Sequence, residues 1–540
     1  MMNLKRSWRW LVLAGSVFAL AGLSPFLAAA SGSGTGPAAS SGPVAPSAVL
    51  TAGPARIVSG NTRIATPAQP SGIAINRPSI PMSQYKALKA AGAKSGLAKP
   101  SLPGAPLSTN QVIGQAALTS QGGAGGSWAP PDVNGAPGAS APFSNQLTEI
   151  VNSKISVYTK SPSAPALLSE MSLNSRFGYA DASLFDPRIE YDTRWNRWVA
   201  IADAFPVGGS QHFFLGISST SDATGGWIVY NLVLPIGAGG FVDYPQLGLS
   251  QDAVMITYSD FASAGQTCNT FAVAKAILYN AGGFSTPVFS LGSNCTTTPP
   301  NVIDQNPRAH EIRWIPGVGA ANVEYRNPQT GFYSAINAIT PLGGVLATAP
   351  PPNAQQPAAP ACTAPSCDID ASDGRFVNDP TQYADDLWSI NTPGVGSFPI
   401  PTWYDFDTEG AGANTAKQAN FIFVSATSFD WNASIAAQQD GRAYLQWTYT
   451  DPPNGVYPSM AFTGRLGGDA ANSLNAPTIV FNSPFKMMGN YDPNFGAQRW
   501  GDTSSIRFDP SVFDRAYGLN ETVPNSGFWG TRQAAVRVNP

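Results

Sequence analysis

The chain has 540 residues, more than one ordinary domain, yet only 12% are Asp, Glu, Lys or Arg, about half the usual share. Hydrophobic residues make up 43%, enough for a large core, and 54 glycines with 48 prolines exclude a coiled coil or helical bundle and favour a turn-rich all-β body. With His212 and His310 as the only histidines, a multi-histidine zinc site is excluded.

Residues 1–30 read as a secretory signal. Lys5, Arg6 and Arg9 are followed by a mostly apolar run from Leu11 to Leu23, and Ala28, Ala29 and Ala30 precede Ser31. Gly15, Ser16, Gly22 and Pro25 interrupt that run and argue against an uncleaved anchor. No later segment is apolar for long enough to span a bilayer. The expected localisation is therefore secreted, periplasmic or at the cell surface, with no membrane span after signal removal.

Residues 31–126 are rich in Ala, Gly, Pro and Ser, a composition expected to be disordered. Only Ser83 to Leu97 suggests a short helix. Seven cations (Arg56, Arg63, Arg77, Lys86, Lys89, Lys94 and Lys99) stand here without one carboxylate. The remainder carries 20 basic and 33 acidic groups, a net charge of −13. This basic linker or pro-segment would dock on the acidic body, dock on an anionic envelope surface, or act as a solvated spacer. The acidic body disfavours a nucleic-acid partner.

From 127 to 540 short strands are expected in succession: Trp198–Ala202, Phe213–Ser218, Trp227–Leu234, Ala253–Tyr258, Phe271–Leu278, Asn322–Tyr325, Phe421–Ala426, Ala443–Tyr449 and Ala535–Val538. Several hundred residues of antiparallel strand exceed one sandwich, so the fold class is all-β, a β-propeller of six to eight blades. A Pro-rich loop near 347–366 interrupts it. Four cysteines suit an oxidising compartment and suggest Cys268–Cys295 and Cys362–Cys367 by proximity.

Along the body, Asp186 to Trp198 reads as strand, turn and strand. Thr220, Asp222 and Trp227 keep the spacing of the Asp-box hairpin of sialidase-like propellers, with Thr224 where its first Gly should stand. An Asp in such a turn accepts backbone N–H bonds, so Asp222 is expected to be structural. Asp368, Asp370, Asp373 and Asp379 look like an oxygen-ligand Ca2+ loop, although Asp373 and Gly374 are out of register with an EF-hand and Asp379 replaces its Glu. No Gly-x-Ser-x-Gly elbow or phosphate-binding glycine loop is present.

Pro130–Gly135, Asp186–Trp198, Asp243–Gly248, Tyr457–Arg465 and Arg499–Asp502, taken in order, resemble segments of a group of secreted bacterial β-propeller proteins. The resemblance implies a propeller and export. That group has no established reaction, so no catalytic residues follow from it.

Two functions suit such a body. The first is binding of an extracellular glycan or envelope polymer, for which 57 aromatic rings and many amides and hydroxyls are suited. The second is polysaccharide cleavage by axial carboxylates. The acid candidates are then Glu190 and Glu324, the base candidates Asp132, Asp243 and Asp502, and the ligand-binding arginines Arg188, Arg465 and Arg499. A structural or adhesion role in the envelope is a third reading. Few ionisable groups also mean little charge gain in acid, which suits an acidic habitat.

Overall fold

A computed structural model describes residues 42–68, 77–96, 98–100, 108–120, 128–327, 332–333, 337–339, 349–358, 367–409, 414–525 and 527–540. The signal-like segment 1–30 and Cys362 lie outside the described residues. Four elements come first: β1 (Ala48–Ala52), β2 (Arg56–Val58), α1 (Met82–Ala93) and β3 (Thr109–Ser120). The chain then runs as successive antiparallel meanders. The first is β4 (Asn134–Pro137), β5 (Gln146–Val151), β6 (Lys154–Thr159) and β7 (Leu167–Ser172). After α2 (Leu173–Phe177) come β8 (Leu184–Asp192), β9 (Arg197–Ala204), β10 (Phe213–Ser218) and β11 (Trp227–Leu232). The third comprises β12 (Val242–Leu249), β13 (Ala253–Ala262), β14 (Gly265–Ala274) and, beyond α3 (Lys275–Leu278), β15 (Phe284–Ser293).

Next are β16 (Thr296–Thr298), β17 (Asn301–Val302), β18 (Ala309–Ile315), β19 (Gly319–Asn327), β20 (Phe332–Tyr333) and β21 (Asn337–Ala338). Then come β22 (Thr381–Tyr383), β23 (Asp386–Asn391), the small hairpin β24 (Gly394–Val395) and β25 (Phe398–Pro399), β26 (Thr402–Asp407) and β27 (Thr415–Phe421). The chain ends with β28 (Phe429–Ala437), β29 (Ala443–Asp451), β30 (Val456–Arg465), β31 (Thr478–Phe481), a second hairpin of β32 (Tyr491–Asp492) and β33 (Ala497–Gln498), then β34 (Ser505–Phe508), β35 (Ala516–Asn525) and β36 (Phe528–Asn539).

The innermost strands β4, β8, β12, β22, β28 and β34 touch in that order, with β17 between β12 and β22, and β34 returns to β4. This closed ring of small sheets is a β-propeller. Five sheets of four or five strands stand separately, which corrects the expected six to eight blades. The physical reason is β17, which pairs in parallel with both β12 and β22 and joins two meanders into one ten-stranded sheet. Apolar clusters fill the space between neighbouring sheets, and Trp198, Trp227, Trp314, Trp403, Trp447 and Trp529 are buried in them. Much of the aromatic content is thus inter-sheet packing.

The described parts of 31–126 differ from the expected spacer. β1 extends the ten-stranded sheet beside β15, and β2 adds a fifth strand beside β11. β3 is the outer strand of the last sheet, paired with β36 from Thr109↔Asn539 to Ser120↔Gly530. The propeller therefore does not begin at 127. The reason is backbone chemistry: each strand satisfies the open N–H and C=O groups of a sheet edge, a gain that needs no large side chains. Two strand expectations are also corrected. Phe271–Leu278 ends in α3, and the segment after Phe421 leaves its sheet and turns back towards β28.

The disulfide Cys268–Cys295 ties β14 to the start of β16. Cys367 is also disulfide-bonded. Among the described residues no helix is long and apolar enough to cross a membrane.

A chain lacking Thr109–Ser120 would leave β36 as an open edge. The expected outcome is soluble aggregation and loss of cooperative melting, read by size-exclusion chromatography and calorimetry; a monomeric chain with an unchanged Tm would contradict the closing role of β3.

Candidate functional site

The site lies where the inner strands meet. Several of their turning points are occupied by non-glycine residues in the left-handed region: Asp132 (φ 47°), Asp186 (φ 47°), Tyr244 (φ 59°) and Asn432 (φ 51°). Ladder irregularities accompany three of them, between Phe185 and Arg188, Asp243 and Gln246, and Trp431 and Ser434. A bulge re-aims the following side chains, and left-handed Asp or Asn costs less than other residues. At Gly501 a Cβ would lie 2.9 Å from the backbone nitrogen of Asp132, so only glycine lets these strands approach.

Polar side chains stitch the ring across strands. Asn152 donates to the carbonyl of Pro130 (2.9 Å) and to Asp132, and its Oδ1 accepts from the Asp186 N–H (2.7 Å). The Tyr244 N–H donates to Asp186 Oδ2 (3.2 Å), and Arg188 Nε to the Pro245 carbonyl (3.2 Å). On the other side Asn378 donates to the Ala433 carbonyl (2.7 Å) and Ser504 Oγ to the Asn432 carbonyl (3.0 Å). The Asp502 N–H reaches Asp132 Oδ1 (2.8 Å), which closes the circle.

Carboxylates crowd this centre. Burial, with Asp243, Asp132 and Asp203 nearby, pushes Asp186 well above the usual carboxylate range. Burial and Asp243 do the same to Asp203, neither of whose oxygens has a hydrogen-bond partner among the described residues. Glu521 is raised by burial despite accepting from the Gly501 N–H at 2.7 Å.

A small cavity sits beside them, lined in part by Asp370, Ser372, Arg375, Trp431, Asn432 and Asp502, with room for about one water molecule. Its two carboxylates differ. Burial pushes Asp502 up to about 7, against the pull of Arg375 and Arg499. Burial also acts on Asp370, but Lys89 and Arg499 beside it outweigh that and hold it below the usual range. Trp431 Nε1, Asn432 Oδ1 and Ser372 Oγ have no hydrogen-bond partner among the described residues.

The structure thus brings Asp132, Asp243, Asp502, Arg188 and Arg499 to one axial cluster. Glu190 lies close by but is clamped by Arg507, which also holds Asp379 at 2.8 Å. Glu324 is elsewhere, on β19 against Arg326 and Arg308. Arg465 is elsewhere too, at the end of β30, bonded to Gln418 and to the Asp469 carbonyl. A Tyr beside Glu324 marks a strand but not its rank within a sheet, which is why the sequence grouped it with the others.

Of the calcium candidates, Asp370 faces Lys89 (2.9 Å), Asp373 is paired with Arg375 (2.6 Å) and Asp379 meets Arg507, whereas burial raises Asp368 to about 6. Cationic side chains take the place a metal would fill, and among the described residues no group of three or more ligating side chains is arranged to hold one. Asp222 accepts from Gln146 (2.7 Å) and the Thr224 N–H (2.9 Å), holding its turn to the neighbouring sheet.

Asp186, Asp203, Arg375, Trp431 and Asn432 were not anticipated as site residues. A signal for Asp186 was in the sequence: an Asp within two residues of a Pro recurs at Asp132, Asp186 and Asp243, near the start of successive inner strands.

Fold and axis together define a β-propeller with a buried, mixed-charge centre. No family model matches the chain, and no curated protein matches it. Among solved structures it is similar to a lectin, BP39L, from Burkholderia pseudomallei (12% identity, 73% of this chain and 93% of that one, TM-score 0.37). It is also similar to a Trypanosoma rangeli sialidase in complex with sialic acid (11%, 81% and 60%, TM-score 0.34) and to a Synechocystis apocarotenoid oxygenase (8%, 65% and 73%, TM-score 0.37). Likenesses of this size carry no argument about function.

Two outcomes follow. Asn152→Ala removes three bonds at the axis and is expected to cost about 2–4 kcal/mol, measured by urea denaturation. The second is a pH dependence. Asp502 (about 7), Asp405 (about 7) and Asp379 (about 8) keep protons in the folded chain that the unfolded chain releases above about pH 4, and burial shifts Asp186 and Asp203 in the same direction. Their stabilisation is complete below that pH and is lost as pH rises through about 7 to 8. Asp370 and Glu409 (about 2) act oppositely and are lost in stronger acid. The Tm should therefore peak near about pH 4–5 and fall towards pH 8 in a calorimetric series.

Proposed function

We propose that the protein is exported and binds an extracellular glycan, with the axial cavity as its ligand site. The observation that supports this most directly is the cavity's lining. An indole N–H, an amide oxygen and a hydroxyl, from the lining residues Trp431, Asn432 and Ser372, have no hydrogen-bond partner among the described residues. Buried polar atoms in native proteins are nearly always paired, so such a set asks for a ligand or water that donates and accepts. Sugar hydroxyls do both, and the face of an indole suits a sugar ring. An oxidising, extracellular setting agrees with the disulfide and with the signal-like start of the chain.

A second reading, glycoside cleavage, is favoured by one feature: two carboxyl groups on the same cavity held in different protonation states. Such a split is how one site supplies both an acid and a base. Asp502, expected from the sequence as a base, would then be the acid, and Asp370 the ionised partner.

The test is retention on immobilised polysaccharides together with a reducing-sugar assay. Trp431→Phe and Ser372→Ala should each weaken retention about tenfold, the value of one lost hydrogen bond. If new reducing ends appear, the second reading requires that Asp502→Asn abolish them and that the rate fall above about pH 7. Retention indifferent to both binding-site changes would remove the axial cavity as the ligand site.

A further inference from the structure

The seven cations of the N-terminal stretch are not spread evenly over the body, and three of them reach the axis and its rim. The Arg77 N–H donates to Asp243 Oδ2 (3.0 Å), and its guanidinium lies 4.5 Å from the ring of Phe241. The Arg77 carbonyl accepts from Arg375 (3.0 Å), and the Ser79 N–H donates to Asp373 Oδ2 (3.3 Å). On α1, Tyr85 OH donates to Asp370 Oδ1 (2.6 Å), and Lys89 Nζ meets the same oxygen (2.9 Å) and the Pro351 carbonyl (3.0 Å). Tyr85 and Lys89 are buried, as are Asp370 and Asp373. Lys99 follows, buried against Asp430 (2.9 Å), Ser425 and Ser428.

These contacts converge on one short stretch of the axial wall. Asp370 and Arg375 line the cavity on one side, and on the other they are gripped by residues 77–89. Among the described residues, backbone pairing holds the segment 367–379 through isolated bridges, Ala354↔Ile369 and Ile369↔Gln498. Beyond that its side chains hold it: Ile369 and Phe376 are buried in apolar clusters, Asn378 donates to the Ala433 carbonyl (2.7 Å), and Asp370, Asp373 and Arg375 take partners from the N-terminal stretch.

We propose that residues 77–93 are an intramolecular latch on the axial site. While the latch is seated, Asp370 and Arg375 are fixed and the cavity stays too small for a sugar. Displacing the latch frees 367–379 and admits ligand. The inference rests on the glycan reading for the identity of the ligand, but not for the mechanical link between latch and wall. A site open only in the unlatched fraction binds with an affinity reduced by that fraction, so weakening the latch should strengthen binding.

The test uses the full-length chain with Tyr85→Phe and Lys89→Met together, and Lys89→Arg as the conservative variant. Amide hydrogen exchange is followed in 367–379, with Ala443–Asp451 of β29 as the internal reference. Exchange in 367–379 should accelerate at least about tenfold in the double variant, with β29 unchanged and Lys89→Arg close to the parent chain. Unchanged exchange there, or equal acceleration in β29, overturns the latch. If the double variant does not fold, Tyr85→Phe alone is held to the same criterion. Retention on immobilised polysaccharide then separates the two readings. Stronger retention by the double variant supports both. Faster exchange with no retention by any form leaves the latch standing and removes the glycan reading. Retention by the parent chain equal to that of the variant means the intact site is open, which overturns the latch.

Discussion

The constraint on which this structure depends is the closure of the inner ring. Innermost strands of a propeller converge without full ladders to one another, so their backbone groups need partners in a region shielded from water. Asn134, Asn152, Asn378, Thr503, Ser504 and Ser505 meet that need by bonding to the backbone of the next strand. Amides and hydroxyls can do this without the desolvation cost of an ion. A body built this way has little use for charge in its interior and few places to tolerate it, which accounts for the low charged fraction at its physical root.

The buried lysines are consequently paired. Lys89–Asp370, Lys99–Asp430, Lys160–Asp509 and Lys275–Asp192 are all ion pairs at 2.7–2.9 Å with almost no exposed surface. Asp186 and Asp203 form no ion pair among the described residues, and burial shifts both upward. Two of those four lysines belong to the stretch that contains no carboxylates. The uneven charge along the sequence is therefore a division of labour: the N-terminal stretch carries counter-ions for acids that the body buries.

Much of the fold was legible in the sequence. Phe213–Ser218 is β10 residue for residue, and the expected turn after Asp192 separates β8 from β9. Alternating apolar residues between Gly, Pro, Asp and Asn are a local signal, and local signals survive. The parts that were hidden are non-local. β3 reads Thr-Asn-Gln-Val-Ile-Gly-Gln-Ala-Ala-Leu-Thr-Ser, with only three large or β-branched apolar positions, and it is a strand because β36 offers it an edge. In the same way Asp132, Asp243 and Asp502 were recognisable as site residues because each stands in a turn-forming motif. Nothing near Glu324 or Arg465 said that they would lie away from the axis.

The N-terminal stretch does two separable things. β1, β2 and β3 give backbone hydrogen bonds to sheet edges, a contribution that is insensitive to which side chains they carry. The described residues of 77–99 give no strand; they contribute one helix, a few polar contacts and five cations, of which Arg77, Lys89 and Lys99 land on the axis or its rim. Loss of the whole stretch would strip the outer strand from the last sheet as well as the cations from the centre, and the two effects would be indistinguishable. Changes confined to 77–99 leave every sheet edge covered. Any control exerted by this stretch on the axial site must therefore act through side-chain charge and the seating of α1, with the propeller itself intact.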